Sequence, residues 1–285
     1  MVDLDEMVRI LDGLDDLPTL PTIYVEISKQ IRDPKVSVSE VARVIEMDQA
    51  ITSKILRLVN SSFFGFSRQV TSIRQAVVLL GFSTVQNTVL SVSVFESFAT
   101  NNVKGFNLKE FWKHSIGCGL LCTTLDKKMN VGYQDETFVA GLLHDIGKII
   151  LDRHFKKEFE EALTYAKTNG VSPYEGERVV IGSSHDEIGE YLAEQWKLPY
   201  ALVEAVALHH HPGNIRSNPK LVSLVHLSDC LAHRLGCGYS DNYVLPEFDP
   251  HALEELDLNE EMIPDLIEEM KQVFDNNHEL FKLID

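Results

Sequence analysis

Phe138 to Leu151 reads FVAGLLHDIGKIIL. At 3.6 residues per turn, Phe138, Val139, Leu142, Leu143, Ile146, Ile149 and Ile150 gather on one side and predict a core-facing stripe on a single helix. The other side carries His144, Asp145 and Lys148 among Ala140, Gly141 and Gly147, where an exposed face would show long charged side chains. Glycine costs a helix interior roughly 1 kcal/mol against alanine. The two glycines therefore point to another backbone or a ligand at close range. Neighbouring His and Asp are turned about 100° from each other, so they do not point the same way, yet they can bracket one metal ion from the helix edge. A His and an Asp buried for packing and satisfied by hydrogen bonds is the alternative for a lone dipeptide of this kind.

At 285 residues the chain is long enough for one large domain or two smaller ones. Hydrophobic content of 44% with 24% charged residues is that of a soluble globular protein. The net charge of −17 argues against a phosphate backbone as the main partner, because nucleic-acid binding uses clustered Lys and Arg. Residues 250 to 285 hold eleven Asp or Glu against Lys271 and Lys282, so this tail supplies −9 of the total and the remainder can still accept a phosphorylated ligand. Cys118, Cys122, Cys230 and Cys237 lie in apolar helical patterns without zinc-knuckle spacing and read as reduced core residues. The acidic first residues lack the order of a signal peptide. No apolar run approaches the ~18 residues of a membrane span. The expectation is a cytoplasmic protein that binds neither membrane nor nucleic acid.

Nearly every periodic segment has helical spacing, so the predicted class is all-α. Pro18 and Pro21 separate two short helices, Ser37 to Glu40 has the form of a capping box, and Asp48 to Asn60 carries the stripe Ile51, Ile55, Leu58 and Val59. Arg57 and Asn60 lie off that stripe and read as surface charge and C-cap, with ligand contact the alternative. Gly81 closes a helix begun near Thr71, and Phe82 to Phe98 forms another. The polar stretch Asn101 to Asn107 marks the expected connection between an N-terminal helical subdomain, 1–100, and a second helical domain, 108–240. The acidic segment 250–285 follows, with one amphipathic helix expected over Met262 to Ile284.

In the second domain, polar residues recur on stripes that face inward. His114 aligns with Cys118, Leu121, Cys122 and Leu125; His185 with Ile188, Gly189, Leu192 and Trp196; Asp229 with Val222, Val225 and Ala232. The helix from about Pro199 ends in His209-His210-His211. Burying so many imidazoles and carboxylates on five helices is costly unless they are paired or hold a metal. One site that gathers His114, His144, Asp145, His185, His209 or His210, and Asp229 is cheaper than five unrelated ones. Such a donor set suits one or two ions of iron, manganese or zinc, and a metal pair polarises phosphoryl oxygens. Lys148, one turn beyond His144, either neutralises a phosphate or pairs with Asp145. His226, His233, His251 and His278 fall off the inward stripes or outside this region.

The order His114, His144-Asp145, His185, His209-His210, Asp229 resembles the ligand order of the HD superfamily of metal-dependent phosphohydrolases, and HDIGK resembles its HD-GYP branch. Leu17 to about Leu235 is similar to the HDOD family of bacterial signalling proteins, the HD-related output domains. Leu17 to Pro21, DQAITSKILRLVNSSFFG, SIRQAVVLLG, FVAGLLHDIGKIIL and HDEIGEYLAEQWKLP carry that resemblance, in order. It implies a multi-helix HD-like bundle preceded by a helical subdomain, and a role in bacterial signal transduction through unidentified signalling proteins. Many HDOD members lack HD ligands; this chain has a suitable residue at each position. After His211 it runs PGNIRSNPK, without the Gly-Tyr-Pro of the cyclic-di-GMP phosphodiesterases. The resemblance thus implies a regulatory module with a retained metal site, or else a phosphohydrolase acting on another phosphate ester with Asp145 and Lys148 in the reaction.

Overall fold

The computed structural model describes residues 4–14, 17–61, 64–98, 106–133, 135–214, 217–238 and 244–281. The fold is all-α, and among the described residues every regular element is helical. Contacts divide the chain into two compact units, 18–100 with 272–285 and 1–17 with 101–271. This differs from the sequence division at both tails. Helix α1, Leu4–Asp12, joins the second unit, because Met7 and Leu11 are buried and Asp12 accepts the Tyr191 hydroxyl. At the other end, Leu280 is buried and Asn276 lines one cleft with Ser53 and Arg57. The expected connection at 101–107 lies mostly outside the described residues.

The unit 18–100 contains α2, Thr22–Ile31, α3, Val38–Glu46, α4, Gln49–Val59, and α5, Ile73–Phe98. Ser37 and Glu40 form the expected capping box of α3, and the Asp48 carboxylate accepts the Ile51 amide at the start of α4. Ile27, Val41, Ile45, Ile55, Val59, Ile73 and Val77 form the core. The Asn60 amide donates to Leu56 and Val70 carbonyls, both at 2.8 Å, and accepts the Val70 amide at 2.7 Å, so it works as a structural clamp. Gly81 has φ 83° and ψ 172°, a break that separates the two helical pieces of α5. Taken across that break, α5 is long and apolar enough to cross a membrane, which corrects the expectation that no run approaches a span; half of its most apolar stretch is buried within the protein.

The second unit is built around α6, Leu108–Met129, which packs on α7, Thr137–Leu143. Then follow α8, Gly147–His154, α9, Lys156–Asn169, α10, Pro173–Val180, α11, His185–Gln195, and α12, Tyr200–Leu208. The remaining helices are α13, Pro219–Arg234, which also packs on α6, then α14, Pro250–Glu255, α15, Ile263–Asn276, and α16, His278–Phe281. The boundary between the units falls within α15.

Two expected helices are broken. The 138–151 stretch is α7 and α8, joined by a turn at His144 to Ile146. Bonds there tighten to three-residue spacing, Ile146 to Leu143 and Lys148 to Asp145, both at 2.9 Å, and the Gly141 carbonyl takes His144 Nδ1 at 2.7 Å. The 262–284 segment is α15 and α16, parted at buried Asn277, whose side chain donates back to the Val273 carbonyl. The glycines in the organising stretch meet backbone, as their cost suggested. A Cβ on Gly141 would lie 2.7 Å from Gly119 Cα in α6, and one on Gly147 would lie 2.9 Å from Gly189 N in α11.

Candidate metal centre

Each element delivers its polar residue to one interior point of the second unit. His114 comes from α6, His144 and Asp145 from the α7–α8 turn, His185 from the first position of α11, His209 and His210 from the end of α12, and Asp229 from α13. The donors fall into two groups, Asp145 with His185, His209 and His210, and His114 with His144 and Asp229. Within each group the ligand-type atoms lie within 4.8 Å of one another, so each could hold a metal ion.

Asp145 faces both groups. Its Oδ1 is 3.1 Å from His185 Nε2 and 3.7 Å from His209 Nε2. Its Oδ2 is 3.5 Å from His144 Nε2, 3.7 Å from His114 Nε2 and 2.6 Å from Lys148 Nζ. Asp229 Oδ1 lies 3.0 Å from His114 Nε2 and 3.6 Å from His144 Nε2.

The imidazole tautomers follow from the far side of each ring. His114, His144 and His209 place Nδ1 against the carbonyls of Cys237, Gly141 and Val206, at 3.2, 2.7 and 2.8 Å. A carbonyl only accepts, so Nδ1 carries the hydrogen and a neutral ring turns a bare lone pair at Nε2 toward carboxylate oxygens. Lone pairs facing each other in a dry interior require a cation between them, and this is the arrangement that orients histidine ligands on a metal. No hydrogen bond reaches Nε2 of His144 or His209. The residues present therefore fit a divalent ion.

The titration of the side chains carries the same demand. Burial, with His233 beside it, holds His114 down at about 4, and burial together with the cationic neighbours holds His209 and His210 well below the ordinary histidine value. His185 goes the other way, to about 9, since Glu177 and Asp145 outweigh the opposing effect of burial and Lys148. Burial opposes ionisation of Asp145, but His144, Lys148 and His185 keep it well below the carboxylate range. Negative charge is thus fixed at the centre, and it is also felt by His144, whose pKa Asp145 and Asp229 raise against the opposing effect of burial.

Comparison with known proteins bears on what this arrangement is. A family model described as the HDOD domain matches residues 17–212. The chain belongs to the HDOD family. Asp229 lies beyond the matched span, and the other six donor residues lie within it. A Geobacter sulfurreducens HDOD domain protein with unknown function is 26% identical, with TM-score 0.73, over 95% of this chain and 97% of that one. A Shewanella amazonensis structure described as a candidate phosphohydrolase shares the fold, with TM-score 0.74 at 23% identity, over 97% of this chain and 98% of that one. An uncharacterised Treponema pallidum protein is 26% identical over 71% of this chain and 39% of its own length. The HDOD chain thus spans about two fifths of the curated relatives it matches.

All seven positions read from the HDOD sequence fall in these two groups, with His209 and His210 together in the group of Asp145. Three residues were missed. His233, set aside as off-stripe, has Nε2 3.2 Å from Asp229 Oδ1 and its ring 4.5 Å from that of His114; its i,i+4 spacing from Asp229 was the available signal. His226, also set aside, is buried with Nδ1 2.7 Å from the His209 carbonyl. Glu177 is fully buried and reaches His185. Its helix was announced by Ser172-Pro173-Tyr174-Glu175, a capping box with proline at the first helical position. His251 and His278 are exposed.

Proposed function

We propose that this HDOD chain is a bacterial regulatory module in which the His/Asp cluster holds two divalent ions as a closed, organising centre and the helical surfaces engage signalling proteins. The observation that carries this reading is the burial of six of the seven donors: His114, His144, Asp145, His185, His209 and Asp229 are between 0 and 3% exposed, and His210 is half-buried. Closed sites are the mark of structural metal centres, whereas catalytic ones keep a position open to substrate. Asp145 faces both groups and would help to hold either ion. The mixed imidazole and carboxylate donor set suits iron, manganese or zinc. Holding five helices through one centre makes metal loading a determinant of the surface shown to a partner.

A second reading is a metal-dependent phosphohydrolase for a nucleotide or other phosphate ester, and Lys148 favours it. Its ammonium lies 2.6 Å from Asp145 with 12% of the side chain exposed, placed to neutralise a non-bridging phosphate oxygen at the edge of the centre. Bound divalent ions would supply Lewis-acid polarisation of the phosphoryl group. The protein reconstituted with iron, manganese or zinc and offered a panel of nucleotides and phosphodiesters separates the two. The regulatory reading expects no turnover above buffer with the same metal, together with metal-dependent recovery of a signalling protein from the native host. Turnover that Lys148→Ala abolishes overturns it in favour of the hydrolase.

A further inference from the structure

Glu177 is a fully buried acid that the donor set does not include. Its position is built by its helix. The Ser172–Glu175 capping box and Pro173 start α10, and a Cβ on Gly176 would meet the Ala162 carbonyl of α9, so the two helices touch at backbone distance and the next residue turns inward. There, Glu177 Oε2 accepts the backbone amide of His185 at 2.8 Å and faces His185 Nδ1 at 2.6 Å. The opposite ring nitrogen, Nε2, is aimed at Asp145 Oδ1 and lies 2.9 Å from His210 Nε2.

This environment differs from that of the other histidines. His114, His144 and His209 lean on neutral carbonyls, while His185 leans on an acid. A buried acid hydrogen-bonded to Nδ1–H pushes electron density through the ring, makes Nε2 a stronger donor and fixes the ring plane. Capping the first amide of α11 alone would not call for a charge, since a glutamine carbonyl accepts the same hydrogen bonds.

We propose that Glu177 is a positioning residue of the metal centre, which orients His185 and strengthens it as the nitrogen donor to the ion held with Asp145, His209 and His210. The proposal rests on the metal-centre reading above. Removal of such a partner typically weakens metal binding 10- to 100-fold.

Zinc affinity, measured on the full chain by competition with a chromophoric chelator, tests it in wild type, Glu177→Gln and Asp145→Ala, with circular dichroism as the folding control. Glu177→Gln is expected to keep its helical spectrum and to weaken zinc binding at the His185 side about 10- to 100-fold while the second equivalent holds. Wild-type affinity in Glu177→Gln beside lost binding in Asp145→Ala overturns the role of Glu177 and leaves the centre standing. Unchanged binding in both variants overturns the centre as well. Should Glu177→Gln fail to fold, nitrogen-15 spectra of zinc-loaded wild type labelled at histidine decide. Zinc on His185 Nε2 with a slowly exchanging, hydrogen-bonded Nδ1–H supports the proposal, and zinc on Nδ1 overturns it.

Discussion

His114 Nε2 and Asp229 Oδ1 face each other at 3.0 Å in the dry interior, while His114 turns its Nδ1 to the Cys237 carbonyl at 3.2 Å. Such a pair is relieved by a cation. Saturating metal is therefore expected to stabilise the fold by about 3–4 kcal/mol at 100- to 1,000-fold excess over Kd. For a chain of this size that is a rise in Tm on the order of 10 °C. Differential scanning fluorimetry with a chelator and then added manganese, iron or zinc measures it, and an indifferent melting curve would speak against a cation at this pair.

Lys148 and Asp145 form a largely buried ion pair, with 12% of the Lys148 side chain exposed, that is expected to matter most without metal. Lys148→Met leaves Asp145 with a lost partner, a change that typically costs about 3–5 kcal/mol when a buried pair is broken. A bound divalent ion supplies the missing charge. The chelated variant is expected to melt well below chelated wild type, with the gap narrowing once metal is added; an equal gap in both states would show that Lys148 does not share its task with the ion.

Gly147 has no room for a side chain against α11, since its Cβ would fall between the His185 carbonyl and the Gly189 amide. Alanine gains roughly 1 kcal/mol in helix propensity, but here a backbone must move. Gly147→Ala is expected to lose about 2 kcal/mol or more net and to weaken metal binding, because Asp145 and His185 are displaced together. Urea unfolding and metal content measure the two effects.

Glu204, buried in α12, accepts the Ser217 and Asn218 amides at 2.9 Å and the Asn218 side chain at 2.7 Å, and so anchors the entry to α13. Glu204→Ala is expected to destabilise by about 1–3 kcal/mol for each donor left dry. Hydrogen exchange should then be fastest over the first turn of α13, upstream of Asp229. Protection unchanged there would mean that α13 is held by packing alone.

What was legible in the sequence was local periodicity. His114, His185 and Asp229 stood on apolar stripes because a helix that buries one face must bury any polar residue in phase with it, and the structure brings these residues to one point. The break at His144 to Ile146 was not legible. It answers to the His144–Gly141 bond and to the contact of Gly147 with a helix about forty residues on, which no wheel represents. Glu177 was hidden for a related reason: α10 has only two turns, too few for a stripe to emerge, and its reach to His185 is a tertiary fact. The grouping of α1 with residues 101–271 likewise depends on Met7, Leu11 and the Asp12–Tyr191 bond rather than on chain order.

The metal content of the purified chain, determined by elemental analysis on wild type beside Asp145→Ala, addresses the centre most directly. The expected result is about two equivalents of iron, manganese or zinc in wild type, the number the two groups would hold, and their loss in the variant that removes the residue facing both groups. A folded wild type that carries no metal and takes up none on reconstitution would contradict it, and would make the seven residues a polar core without metal.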